Sequence, residues 1–149
     1  MKKLFRISML ALAFAAGWLL DSPIGSGQSF PPPGGQATSG SFSGANTGGQ
    51  AITLPAVQGK LNYVCGFSVS GLGSTAGGAV SVTVATLQAG QTHTFQYVYG
   101  AGAAVINTPL VQNYGTCIPA QSYNSAITLT VPGQAGNTAT NIVIWGYVQ

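Results

Sequence analysis

The chain has 149 residues, of which 22 are Gly and only 3% are charged, with four Lys or Arg and a single acidic residue. That composition leaves no carboxylate pair for glycoside hydrolysis, no acid to orient a serine–histidine dyad beyond Asp21, and too few donors for the usual zinc or calcium sites. The formal charge of +3 and pI near 9.1 come mostly from Lys2, Lys3 and Arg6, so they describe a leader rather than a basic surface that could release counterions from nucleic acid.

Residues 1–27 have the layout of a secretory signal peptide. Lys2, Lys3 and Arg6 form a positive n-region, Ile7–Leu20 an apolar run, and Asp21 to Gln28 a small polar tail. The run falls short of the roughly 18–20 apolar residues of a spanning helix. Cleavage is expected after Gly27 in preference to Ala15, since the earlier cut would leave Trp18-Leu19-Leu20 at the new N-terminus; the alternative is an uncleaved N-terminal anchor. No cysteine follows the run, which excludes a lipoprotein anchor. Export to the periplasm, cell surface or medium is the expectation, with no membrane contact beyond this segment.

Residues 28–50, QSFPPPGGQATSGSFSGANTGGQ, are Pro, Gly, Ser, Thr and Gln almost throughout, with Phe30 and Phe42 the only large apolar residues. Such a stretch lacks the apolar surface to offset its ordering entropy. It reads as a flexible N-terminal arm or linker, able to order against a neighbouring subunit. Residues 51–149 then form one domain.

That domain alternates with a period of two. Ile52 and Leu54 begin a short strand, and Leu61, Tyr63, Cys65, Phe67 and Val69 point one way along a long one. Val80, Val82 and Val84 mark a third, and His93, Phe95, Tyr97 and Tyr99 a fourth. Leu110–Tyr114 and Ile127, Leu129 and Val131 give two more. The last, Ala139–Gln149, is apolar on both faces and reads as a central strand. Turn signals separate them, among them Gly71-Leu72-Gly73, Asn107-Thr108-Pro109 and Pro132-Gly133. The fold expected is all-β: a single antiparallel β-sandwich, jelly-roll-like, of about seven or eight strands.

Two cysteines in an exported chain predict a Cys65–Cys117 disulfide. Cys65 should point inward and pin its strand to a turn over Gly115–Pro119. Lys60, the only charged side chain after Asp21, follows Gly59 and reads as a turn or edge residue. His93, the sole histidine, reads as a polar strand-end residue. A Cys–His nucleophile needs a free thiol that the disulfide would consume. The glycine-rich Gly71–Gly78 lacks the Lys-Ser/Thr ending of a phosphate loop and reads as a connection. No Asn-x-Ser/Thr acceptor is present. The chain is therefore read as no enzyme, with no catalytic, cofactor or metal residues.

A nearly uncharged β domain is left with binding or assembly. Soluble domains carry about a quarter charged residues, and edge lysines normally block unwanted strand pairing. Copies of the chain covering one another would explain the deficit. Tyr63, Tyr97, Tyr99, Tyr114, Tyr123, Trp145 and Tyr147 supply amphipathic rings. Of these, Tyr97, Tyr99, Tyr123, Trp145 and Tyr147 are the candidate interface or ligand aromatics. The rival expectation is a secreted carbohydrate-binding, lectin-like module, since jelly rolls host many lectins.

The order ITLPAVQGKLNYVCGFSVSG (Ile52–Gly71), TPLVQNY (Thr108–Tyr114), CIPAQSYNSAITLTVPGQAGNT (Cys117–Thr138) and WGY (Trp145–Tyr147) resembles small jelly-roll or β-sandwich proteins of tailed phages and proteobacterial prophages, regarded as decoration or fibre-like components. The resemblance implies a subunit of a symmetric homo-oligomer, a trimer before other numbers, attached to a larger particle. The signal segment departs from it, because virion proteins assembled in the cytoplasm need no export, and favours a bacterial surface protein.

Overall fold

The computed structural model describes residues 31–149, so the signal segment and its cleavage sites lie outside the described residues. Eight strands run in the order β1 (Gln36–Gly44), β2 (Gln50–Leu54), β3 (Asn62–Gly71), β4 (Gly78–Ala85), β5 (His93–Tyr99), β6 (Leu110–Pro119), β7 (Ile127–Val131) and β8 (Thr140–Val148). They form two four-stranded sheets, β1-β8-β3-β6 and β2-β7-β4-β5, and every named pair is antiparallel. Apart from the β4–β5 hairpin, each connection crosses from one sheet to the other. This wrapping is that of an eight-stranded jelly roll.

The alternation read from the sequence becomes the core. Leu54, Val64, Phe67, Val69, Val82, Val84, Leu87, Ile127, Leu129, Val131, Ile142 and Ile144 are fully buried between the sheets. Each such side chain contributes about 1.5–3 kcal/mol relative to exposure. β8 lies inside its sheet between β1 and β3, as an apolar strand flanked on both sides should. Its Gly146 faces inward, where a Cβ would collide with the Tyr63 carbonyl and the Leu54 side chain.

The expected arm is only partly an arm. Residues 36–44 form β1, an edge strand paired along its whole length with β8 from Gln36↔Val148 to Gly44↔Thr140, and β2 already starts at Gln50. Phe42 packs against the core, while Ser39, Ser41 and Ser43 face out and are exposed. An edge strand needs little apolar surface of its own, because the ladder satisfies its backbone and the neighbouring strand carries the packing.

The first long strand also departs from simple alternation. A bulge between Val64 and Gly66 inserts Cys65 opposite β8, where Val64 pairs with Gly146 and Gly66 with Trp145. The extra residue reverses the faces on its two sides. Val64 therefore points inward with Phe67 and Val69, and Tyr63 turns to the outer face, where it stacks on Tyr147. On the other flank, Val64 pairs with Ile118 and Gly66 with Asn113. Residues 114–117 thus form an excursion of β6, longer than expected from the sequence. The Cys65–Cys117 disulfide closes this excursion, joining two strands rather than a strand and a turn.

Lys60 sits in a tight turn, its N–H donating to the Val57 carbonyl at 3.1 Å and its carbonyl accepting from the Asn124 N–H at 3.0 Å. Gly59 there adopts φ 71°, the left-handed conformation for which glycine is suited.

Candidate functional site

Chemistry-bearing side chains are scattered. Among the described residues no three His, Cys, Asp or Glu side chains come together. Both cysteines are consumed in the disulfide. His93 opens β5 as expected, and its ring lies 5.8 Å from that of Tyr114, at 59°, where the β5 and β6 edges of the two sheets approach. The Tyr114 hydroxyl is buried without a hydrogen-bond partner among the described residues, and burial pushes its pKa up to about 12. A phenol held protonated in this way is a poor base at neutral pH.

The connections between β1 and β2, β3 and β4, β5 and β6, and β7 and β8 meet at one end of the sandwich, and buried asparagines tie them together. The Asn137 Oδ1 accepts from the Asn46 backbone N–H and from the Thr140 hydroxyl, both at 2.9 Å. The Asn137 and Asn107 side-chain amides donate to the same Leu72 carbonyl at 2.8 and 2.7 Å. Asn46 donates to the Tyr99 hydroxyl and Asn107 to the Tyr97 hydroxyl, each at 3.1 Å. This junction is made of amides and hydroxyls, groups that order loops and have no proton to transfer near neutral pH. Asn46, Asn107 and Asn137 fit no strand periodicity and no motif in the sequence. Their signal was their position in glycine- and proline-rich connections, where an asparagine supplies the hydrogen bonds that loop backbone lacks.

Two of the five candidate aromatics, Tyr97 and Tyr99, belong to this junction and not to the surface. Tyr97 and Tyr99 are each 1% exposed, with rings edge to face at 5.0 Å. They lie on the inner face of β5, so neither is available to a ligand or a partner. Burial raises the Tyr97 phenol above 10.0, partly offset by its bond from Asn107, with Tyr99 adding to the rise.

The other three are at the surface but do not form one cluster. Tyr123 is 64% exposed in the β6–β7 loop. Trp145 and Tyr147 are half-buried on the outer face of β8. Tyr147 stacks on Tyr63 with ring centroids 4.6 Å apart and planes 10° from parallel, and burial together with Tyr63 raises its pKa.

An exposed apolar surface that strand periodicity does not mark lies at the β5–β6 edges. Val98, Val105 and Ile106 are exposed large apolar side chains that line the rim where the 100–109 connection passes from β5 to β6, while Val111 is exposed on the outer face of β6 opposite Ser68. A cleft of about 410 Å³ opens there, lined by Val98, Val105, Ile106, Pro109 and Leu110 among others. β5 and β6 are both edge strands, so each has one side of its backbone unpaired within its own sheet.

No protein-family model matches the chain, and no curated protein is significantly similar to it. Two surfaces stand out on the domain, an apolar rim at the β5–β6 edges and an aromatic, hydroxyl-rich face on the sheet containing β8.

Proposed function

We propose that this domain is a non-catalytic structural module that self-associates through its β5–β6 rim and is displayed on a cell surface or virus-like particle. One observation carries the reading. Three of the five exposed large apolar side chains among the described residues, Val98, Val105 and Ile106, line the cleft on that rim. Ile106 alone is 82% exposed. Clustered exposed apolar groups mark interaction surfaces, and two edge strands beside them offer unpaired backbone donors and acceptors.

The partner is a second copy of the chain. The only charged side chain after Asp21 is Lys60, which lies in the β2–β3 connection at the opposite end of the sandwich from the 100–109 connection. Like surfaces can thus meet without repulsion. The resemblance to phage decoration proteins suggests a trimer. Export is supported by the layout of residues 1–27, and a disulfide fits an oxidising compartment.

Light scattering and native mass spectrometry of the exported protein test the reading. A concentration-independent oligomer is expected, and Ile106→Asp with Val98→Lys should dissociate it while leaving the circular dichroism unchanged. A wild-type protein that stays monomeric at high micromolar concentration would overturn it.

A further inference from the structure

The outer face of the sheet β1-β8-β3-β6 is built differently from the rim. Its register sets the side chains in cross-strand rows. Ser39, Trp145, Gly66 and Asn113 make one row, Ser41, Val143, Ser68 and Val111 the next, and Ser43, Asn141 and Ser70 a third. Tyr147 and Tyr63 stand in the row on the other side of Trp145.

Gly66 decides how the indole lies. A Cβ at that position would fall 2.5 Å from Cζ2 and 2.8 Å from Cε2 of Trp145. The ring therefore occupies the space above β3 that a side chain at 66 would fill, leaning along the sheet instead of standing away from it. Trp145 remains half-buried, with one side against the sheet.

Around it, Ser39, Ser41, Ser43, Asn113 and Asn141 are exposed and Ser68 and Ser70 half-buried. None of these seven hydroxyl or amide side chains is engaged in a hydrogen bond with another described residue. Packing does not explain a polar set this uncommitted around a recumbent tryptophan. A column of serines on an exposed edge strand adds little to the fold.

We infer that this face binds a neutral polysaccharide. The apolar C–H face of a pyranose stacks on an indole plane, in keeping with the ring's large apolar payload. The sugar hydroxyls can then bond the serine and asparagine groups on either side. No charged side chain lies on β1, β3, β6 or β8, so uronic acids, sialic acids and phosphorylated glycans would find no counter-charge, whereas uncharged hexose or pentose polymers need none. Strands about 4.8 Å apart and alternate residues about 6.8 Å apart along a strand spread these groups over several sugar units, which favours a polymer over a single sugar. This surface is separate from Ile106 and stands whether or not the domain self-associates.

The test is depletion of the full exported protein from solution by insoluble cellulose, chitin and xylan, with calorimetric titration against soluble mixed-linkage β-glucan, galactomannan and dextran. Retention on at least one of these probes is expected, insensitive to high salt. Trp145→Ala should weaken it at least tenfold and Trp145→Phe less, while Ile106→Asp should leave it unchanged. If Trp145→Ala does not fold by circular dichroism, Ser39→Arg with Ser41→Arg, on the exposed side of β1, should block the same face and abolish retention. Failure of the wild-type protein to bind every neutral probe would overturn the inference, as would binding that persists in a folded Trp145→Ala variant and in the double arginine variant.

Discussion

Replacing Cys65 and Cys117 with alanine opens a ring whose ends are 52 residues apart in sequence. Closing a loop of that length in the unfolded chain removes configurational entropy worth about 4 kcal/mol at ~25 °C. The folded state should suffer little, because Val64 and Gly66 stay in the β3–β8 ladder on either side of the bulge. The loss should therefore appear almost wholly as destabilisation, a large share of the roughly 5–15 kcal/mol of an ordinary domain. Urea unfolding followed by near-ultraviolet dichroism measures it. With a slope of roughly 1–3 kcal/mol per molar, the midpoint should fall by about 2 M, and wild-type protein treated with reductant should unfold at the same midpoint as the double variant. A loss below about 1 kcal/mol would refute the reasoning. It would mean that the unfolded chain already holds β3 near β6, so that the crosslink removes little freedom.

Acid should leave the protein folded. After Asp21 there is no Asp or Glu, and most acid denaturation is the protonation of paired carboxylates, so dichroism should be unchanged between neutral pH and about pH 2–3; unfolding above pH 3 would contradict this. Alkali should act in the opposite sense. Tyr114 has its pKa raised from 10.0 to about 12, so folding favours its protonated form. That contribution is complete below pH 10 and is lost as pH rises from 10 through about 12, and Tyr114→Phe should flatten the decline in thermal unfolding scans. Because its hydroxyl is buried without a partner among the described residues, the same variant should be neutral or more stable at pH 7 by about 1 kcal/mol. Asn137→Ala strands the Asn46 N–H and the Thr140 hydroxyl, which at about 1–3 kcal/mol for each buried group should cost roughly 2–6 kcal/mol in urea unfolding, against under about 1 kcal/mol if the loops were held by packing alone.

The architecture was legible because period-two alternation is a local signal. Val82 and Val84, or Ile127, Leu129 and Val131, have one face to bury wherever the partner sheet lies, and the structure buries them. The disulfide was legible by elimination, from two cysteines. β1 was hidden because Ser, Gly and Thr dominate it, a composition shared with linkers. Only β8, more than a hundred residues further on, gives that segment a ladder to join. Tyr97 and Tyr99 looked available because a tyrosine carries a polar tip. Their partners are Asn107, in the connection that follows β5, and Asn46, in the distant β1–β2 connection, and both reach the phenols only when these connections fold over the end of the sandwich.

By itself, the sequence determined what the molecule lacks and the class of fold it adopts. The near-absence of ionisable groups and the spacing of apolar residues are properties of the chain read in order, and no folding step can alter them. The tertiary structure decided which faces are presented. A one-residue bulge at Cys65 turned Tyr63 outward beside Tyr147, the absence of a side chain at Gly66 let Trp145 lie along the sheet, and the β5–β6 crossing brought Val98, Val105 and Ile106 to one rim. In a strand each residue's face depends on the register of its neighbours, and register is set between segments far apart in sequence.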